Sequence, residues 1–177
     1  LPIRFSGVVV CYDREWGQLY VHDGNEVRYF SPQIFPQQLE AGQQVEITGA
    51  TAVAEGGPGL TNLHLTVLGQ RSLPTSKRLQ VPQLASDFGQ WVETSGRVRQ
   101  ADTSRGRLGI TLHDQGSSCL VYVMGNSVAY DAKRLLGCQV QVRGINASKI
   151  VNGRLEAASV FVPGTNDVRI LGAPAAD

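Results

Sequence analysis

Two short stretches alternate apolar and polar side chains with a period of two, Val45-Glu46-Ile47-Thr48 and Val140-Gln141-Val142-Arg143. That period puts successive side chains on opposite faces and predicts half-buried strands. Similar short apolar runs lie at Ile3–Val10, Gly17–His22, Val27–Phe30, Leu60–Gly69, Trp91–Val98, Arg107–His113, Cys119–Val123 and from Leu155 onward. Asp23-Gly24 and Asn152-Gly153 separate such runs, and both dipeptides tolerate the positive φ of a tight hairpin turn. The best helical stretch is Val128 to Leu136, with a second short one at Gln83 to Phe88. The counterpart of the first, Ser31 to Leu39, contains Pro32 and Pro36 and predicts a loop or one helical turn.

The runs occur twice in the same order. Gly7 corresponds to Gly96, His22-Asp23 to His113-Asp114, Gly42 to Gly137 and Gly49 to Gly144. The offset drifts from 89 through 91 to 95, as small loop insertions would cause. The chain therefore reads as two tandem copies of one domain, residues 1–72 and 91–177. The joining segment 73–90 contains Pro74 and Pro82. Five strands with a helix or loop between the third and fourth is the order of an OB barrel. The expected fold is all-β: two five-stranded OB-like Greek-key barrels. Gly7 and Gly96 fall where the first strand must bend to serve both halves of its barrel.

Composition narrows the function classes. The chain has 177 residues, 42% apolar, with a net charge of +1. No apolar window is long enough to span a bilayer. A near-zero net charge argues against a general polyanion binder, so nucleic acid is not an expected partner of the chain as a whole. That net conceals an asymmetry: positions 1–72 carry four basic and seven acidic residues, and positions 73–177 twelve and eight. Cys11, Cys119 and Cys138 are too few and too scattered for a disulfide framework and read as buried thiols, although two could pair in an oxidising compartment. Met124 is the only methionine, so the chain reads as a processed piece of something larger.

No nucleotide-binding, nucleophile-elbow or zinc-protease motif is present, and no enzyme, cofactor or metal site is expected. The run Glu55-Gly56-Gly57-Pro58-Gly59 reads as a hairpin tip. His22-Asp23 and His113-Asp114 close equivalent strands, where the aspartate is expected to accept turn amides. An OB barrel binds ligands on the outer face of its first three strands and on the loops beside it. In the second copy that face would carry Glu93, Ser95, Arg97 and Arg99 on the first strand and Thr111 and His113 on the second, and Arg97, Arg99, Arg105 and Arg107 would make a basic cluster. Arg97, Arg99, Arg107, Thr111 and His113 are the candidate ligand residues. In the first copy, Tyr12, Trp16 and Tyr20 are candidate partner contacts, and Arg4, Arg14 and Arg28 are balanced by nearby acids. Asn146-Ala147-Ser148 fits a glycosylation sequon.

Several of these segments resemble one family. Gly7 to Asp23 resembles the "G-V-V-T-Y-Y-D-P-x-x-x-x-L-F-V-Q-D" stretch of large bacterial sensor proteins, and Ala41 to Gly49 their "x-G-D-x-V-x-V-x-G". Ser86 to Gly96 resembles the "W-V-E-V-x-G" opening of their second copy, and Phe161 to Leu171 their closing "F-V-P-x-x-x-x-V-x-V-L". The chain thus resembles the extracytoplasmic amino-terminal tandem OB-like region of bacterial sensor histidine kinases and related signalling proteins. The resemblance implies a non-enzymatic periplasmic sensor region tethered to the inner membrane, with a cytoplasmic kinase module beyond it. Residues 173–177 would begin the linker toward the membrane. The implied partner is an unidentified small-molecule or protein signal, with a homodimer as one option. Two alternatives remain: an OB-type nucleic-acid or oligosaccharide-binding module, and an envelope protein–protein adaptor.

Overall fold

The structure is a computed structural model that describes residues 1–54 and 56–174; Glu55 of the glycine-rich run and the last three residues of the expected linker lie outside the described residues. The chain is all-β with OB-like strand order, and divides into a first unit, Leu1–Pro74, and a second that begins at Thr75.

The first unit contains β1 (Pro2–Asp13), β2 (Gln18–His22), β3 (Val27–Tyr29), β4 (Gln43–Ala54) and β5 (Gly57–Gln70), in the antiparallel order β3-β2-β1-β4-β5. β1 serves both halves of the sheet: Pro2–Val8 pairs with β4, and Val8–Asp13 pairs with β2. Val9, Leu19, Val21, Val45, Ile47 and Leu65 form the core with Phe30, Phe35 and Leu39 of the loop after β3. The sheet stays open, because β5 follows the β4 edge from end to end and never reaches β3. That loop plugs the seam. Phe35 is buried in it, and Gln37 Nε2 donates to the Leu65 carbonyl on β5 at 2.7 Å.

The second unit contains β6 (Lys77–Arg78), β7 (Trp91–Asp102), β8 (Leu108–Asp114), β9 (Ser117–Val123), β10 (Gln139–Asn146), β11 (Lys149–Val151), β12 (Arg154–Val162) and β13 (Val168–Gly172). Here the barrel closes. β7 pairs with β8, β8 with β9, β9 with β12 in parallel, β12 with β10, and β10 with β7. β12 lies between β9 and the end of β10, Ile145 and Asn146, and β13 pairs with the rest of that β10 edge, Gln139 to Val142. The core is aliphatic: Val92, Val98, Leu108, Ile110, Leu112, Val121, Val123, Val140, Val142, Val160 and Val162, with Cys119 and Cys138 among them.

The repeated glycines are sites of close strand approach. A Cβ on Gly96 would sit 2.9 Å from the His113 carbonyl oxygen, and one on Gly7 would sit 2.5 Å from that of His22. A side chain at either position would push the second strand off the first. Both β1 and β7 carry a bulge three residues further on, at Val10 and Arg99.

The helical expectations resolve into single turns. Val128 to Leu136 holds only a 3-10 turn, Ala132–Leu135, capped by Asp131, whose side chain accepts from the Lys133 amide. Gly137, at φ +75°, ends it before a costly helical nucleus can propagate. The turn in the joining segment lies at Val81–Ala85, upstream of Gln83 to Phe88, because Pro82 is tolerated where a turn begins and Asp87 adopts φ +54°. Ser31 to Leu39 contains one short turn, Pro32–Ile34. All three cysteines are buried and outside any disulfide, and burial pushes the Cys119 thiol up to about 12. The Asn146 sequon does not offer an acceptor. Asn146 is fully buried and its amide donates to the carbonyls of Leu84 and Ser86.

Candidate functional site

The outer face of β7, β8 and β9 is assembled by register. Arg97, His113 and Ser118 form one row, Gln100, Thr111 and Leu120 the next, and Asp102, Gly109 and Tyr122 the third. The bulge at Arg99 decides this alignment. Because Arg99 has no partner across the strand pair, Gln100 moves to the outer face and Ala101 turns toward the core. Simple alternation places Arg97 and Arg99 together on one face; the bulge separates them.

The last two rows line a groove of about 280 Å³ that is completed by the loop 103–107. Arg105 stands over the Tyr122 ring, its guanidinium carbon 5.8 Å from the centroid, and its Nη1 donates to the Tyr122 hydroxyl at 2.9 Å. That is a cation–π contact with a hydrogen bond at its rim. Arg107 lines the groove beside it. Gly109 forms part of the floor, where an added Cβ would meet nothing closer than 3.7 Å. Leu120 is exposed beside it. The loop is anchored from below by Ser127, whose buried hydroxyl accepts from the Leu108 amide and donates to the Val123 carbonyl. Asp102 faces the groove with its charge already engaged. Hydrogen bonds from the Ser104 hydroxyl and amide, and from Gln100, hold its carboxyl below the usual carboxylate range.

Of the sequence candidates, Arg107 and Thr111 line this groove together with Arg105. Arg97 lies in the row next to the groove, outside its lining, and donates to the Gly137 carbonyl at 3.2 Å, and Arg99 is exposed on the bulge. His113 shares the Arg97 row, its Nδ1 3.3 Å from Ser118 Oγ. Gln100, Gly109, Leu120 and Tyr122 escape a sequence reading because the strand register and the bulge bring them there. The alternation of Ser118, Leu120 and Tyr122 against the buried Cys119, Val121 and Val123 is the one signal that could have found two of them.

The equivalent face of the first unit carries a pair of tyrosines. Tyr20 and Tyr29 oppose each other across β2 and β3 with ring centroids 5.4 Å apart, and the Tyr29 hydroxyl donates to the Gly17 carbonyl. Burial first, then the neighbouring Cys11 and Tyr29, push the Tyr20 phenol up to about 12. The loop before β2 is tied down, with Arg14 donating to the Phe35 carbonyl and Gln33 to that of Arg14. Tyr12 is half-buried and donates toward Gln37 and Gln38, and Trp16 is half-buried with its amide on Asp13. At the end of β2, the Asp23 carboxylate accepts from the amides of Asn25 and Glu26, as a turn residue should.

Strand order and groove together describe an OB-like β protein with a groove on the β7–β9 face of its second unit. No protein-family profile matches the chain, and no curated protein matches it. Among solved structures it is similar to an Entamoeba histolytica asparaginyl-tRNA synthetase in complex with asparaginyl-adenylate, at 14% identity and a TM-score of 0.44 over 57% of this chain and 25% of that one. It is also similar to a Leishmania major Friedlin protein assigned as an aspartyl-tRNA synthetase, at 9% identity and a TM-score of 0.43 over 60% of this chain and 23% of that one. The chain spans about a quarter of the length of these proteins. Likeness at this level fixes neither ancestry nor activity.

Proposed function

We propose that the protein is a non-enzymatic binding protein whose second unit takes a short segment of single-stranded nucleic acid in the β8–β9 groove. The observation that carries this reading is the groove of the second unit in which Arg105 lies over Tyr122 beside Gly109. A base needs a flat, partly apolar partner: the planar Arg105 guanidinium braced on Tyr122 offers the flat face, and the exposed Leu120 the apolar edge. Its phosphates need cations at the platform's rim, which Arg105 and Arg107 supply. Gln100 and Thr111 present an amide and a hydroxyl to base edges. With so few cations at the groove and an acidic first copy, binding is local and weak.

The test is fluorescence anisotropy of a labelled deoxythymidine oligomer titrated across a range of salt. Neutralising about two phosphates on a single strand predicts a log–log slope of about −1.4. Arg105→Ala or Arg107→Ala should each weaken binding and reduce that slope by about 0.7. Gly109→Val fills the floor and should abolish binding at an unchanged thermal midpoint. No retention of the oligomer at low salt refutes the reading, and salt-independent binding of a neutral oligosaccharide would replace it. The motifs at 7–23, 41–49, 86–96 and 161–171 support a second reading, an extracytoplasmic sensor region in which the same groove holds the signal. A parent gene without a membrane helix and output module would remove that reading.

A further inference from the structure

At the end of β7 opposite the 103–107 loop, the second unit holds an aromatic side chain out to solvent. Phe88 is 63% exposed, yet its turn is braced on all sides. The Gly89 amide donates to the Asn146 carbonyl, the Asn146 amide to that of Gln90, and the Gln90 amide to that of Asp87. Asp87, at φ +54°, accepts from Lys77 Nζ at 2.7 Å and from Ser86 Oγ at 3.0 Å. A loop held this firmly leaves little backbone ordering to oppose association. Beside the ring lies a largely apolar cleft of about 410 Å³, lined by Phe88, Ala147, Ser148, Lys149 and Ile150. Val151 next to it is also exposed. The rim carries both charge signs, with Lys149 Nζ 2.6 Å from Glu156 Oε2.

We propose that this face is a self-association surface, on which two copies of the chain meet about a two-fold axis. Phe88 of each copy enters the Ala147–Ile150 cleft of the other. A two-fold interface must be self-complementary, with a knob and its hole on one patch, and this patch carries both. The ring that enters finds a second Phe88 as one wall, and offset aromatic pairs gain more than their buried area. The rim charges fit the same operator, because Lys149 of one copy can face Glu156 of the other without leaving a charge unpaired. Since the patch is its own partner, association closes at two copies. With one aromatic pair at its centre, the dimer is weak and exchanges freely. The proposal concerns a face separate from the groove and stands or falls independently of the oligonucleotide experiment.

Sedimentation equilibrium of the full chain from about 10 μM to 1 mM tests it, a range that spans weak dimer constants. The expected result is a reversible monomer–dimer equilibrium. Phe88→Asp should leave monomer only, with circular dichroism and thermal midpoint unchanged. Phe88→Ala should weaken the dimer at least about tenfold, the effect of losing a central aromatic anchor. If Phe88→Asp fails to fold, the charges decide: Lys149→Glu alone should weaken the dimer, and Lys149→Glu with Glu156→Lys should restore it. A chain that stays monomeric at the top concentration overturns the proposal. So does a dimer indifferent to Phe88→Asp or to the charge reversal, and so does a different protein occupying the cleft of a monomeric chain.

Discussion

Gly144 lies where β10 runs against β12, and a Cβ there would come within 2.8 Å of both the Phe161 carbonyl carbon and Val160 Cγ1. Backbone cannot yield as a flexible side chain can. Gly144→Ala should therefore destabilise the protein by about 2 kcal/mol, the ordinary cost of overpacking, measured by urea unfolding. Gly109→Ala, whose Cβ would meet only ordinary contacts, serves as the neutral control. The repetition of Gly7, Gly49, Gly96 and Gly144 was legible in the sequence; what they avoid hitting was not, because the colliding atoms belong to distant strands. Arg99 shows the converse. Period-two reading assigns it a face with confidence, and one bulge, fixed only when β7 pairs with β8, reassigns every residue after it.

At the scale of elements, Asn146 ties the joining segment to the barrel. Its side-chain amide donates to the Leu84 and Ser86 carbonyls, and its carbonyl accepts from the Ser148 amide, all in a buried site. Asn146→Ala leaves those groups without partners and should cost about 3 kcal/mol in chemical denaturation, the penalty for stranding buried polar groups. A loss below about 1 kcal/mol would mean that water replaces the amide. The sequence marked this asparagine only as a sequon, since a three-residue pattern carries no information about burial. β5 presents a second case. Residues 56–70 carry no aspartate, glutamate, lysine or arginine, so this edge lacks the charges that usually discourage strand addition. Backbone devices replace them. Pro58 removes a donor, irregular register at Asn62 and Leu68 bends the edge, and Gln37 occupies the Leu65 carbonyl.

For the whole molecule, closure distinguishes the two units. In the second, β8, β9 and β12 each have neighbours on both edges; in the first, among the described residues, β5 pairs only with β4. Amide hydrogen exchange should therefore find the slowest protons in β8, β9 and β12, and the fastest strand protons at Gly57–Thr61 of β5. Equal protection of β5 and β12 would contradict an open first sheet.

By itself the sequence determined the all-β, OB-like class, the strand-forming runs and the opposite charges of the halves. Each of these is written in local alternation, in repeated spacing or in composition. It also held a hint of closure that is readable only afterwards. Pro163-Gly164 breaks the last strand region of the second copy into β12 and β13, whereas β5 runs on without such a break. Only the tertiary structure decided that β12 crosses to β9 and that β5 stays on β4. It also decided that Tyr122, Gly109 and Gln100 converge beneath Arg105, and that Phe88 stands beside a cleft. The physical reason is that strand pairing is non-local. Both copies offer similar half-buried strands, and which edge a final strand joins depends on the competing partners the rest of the chain presents.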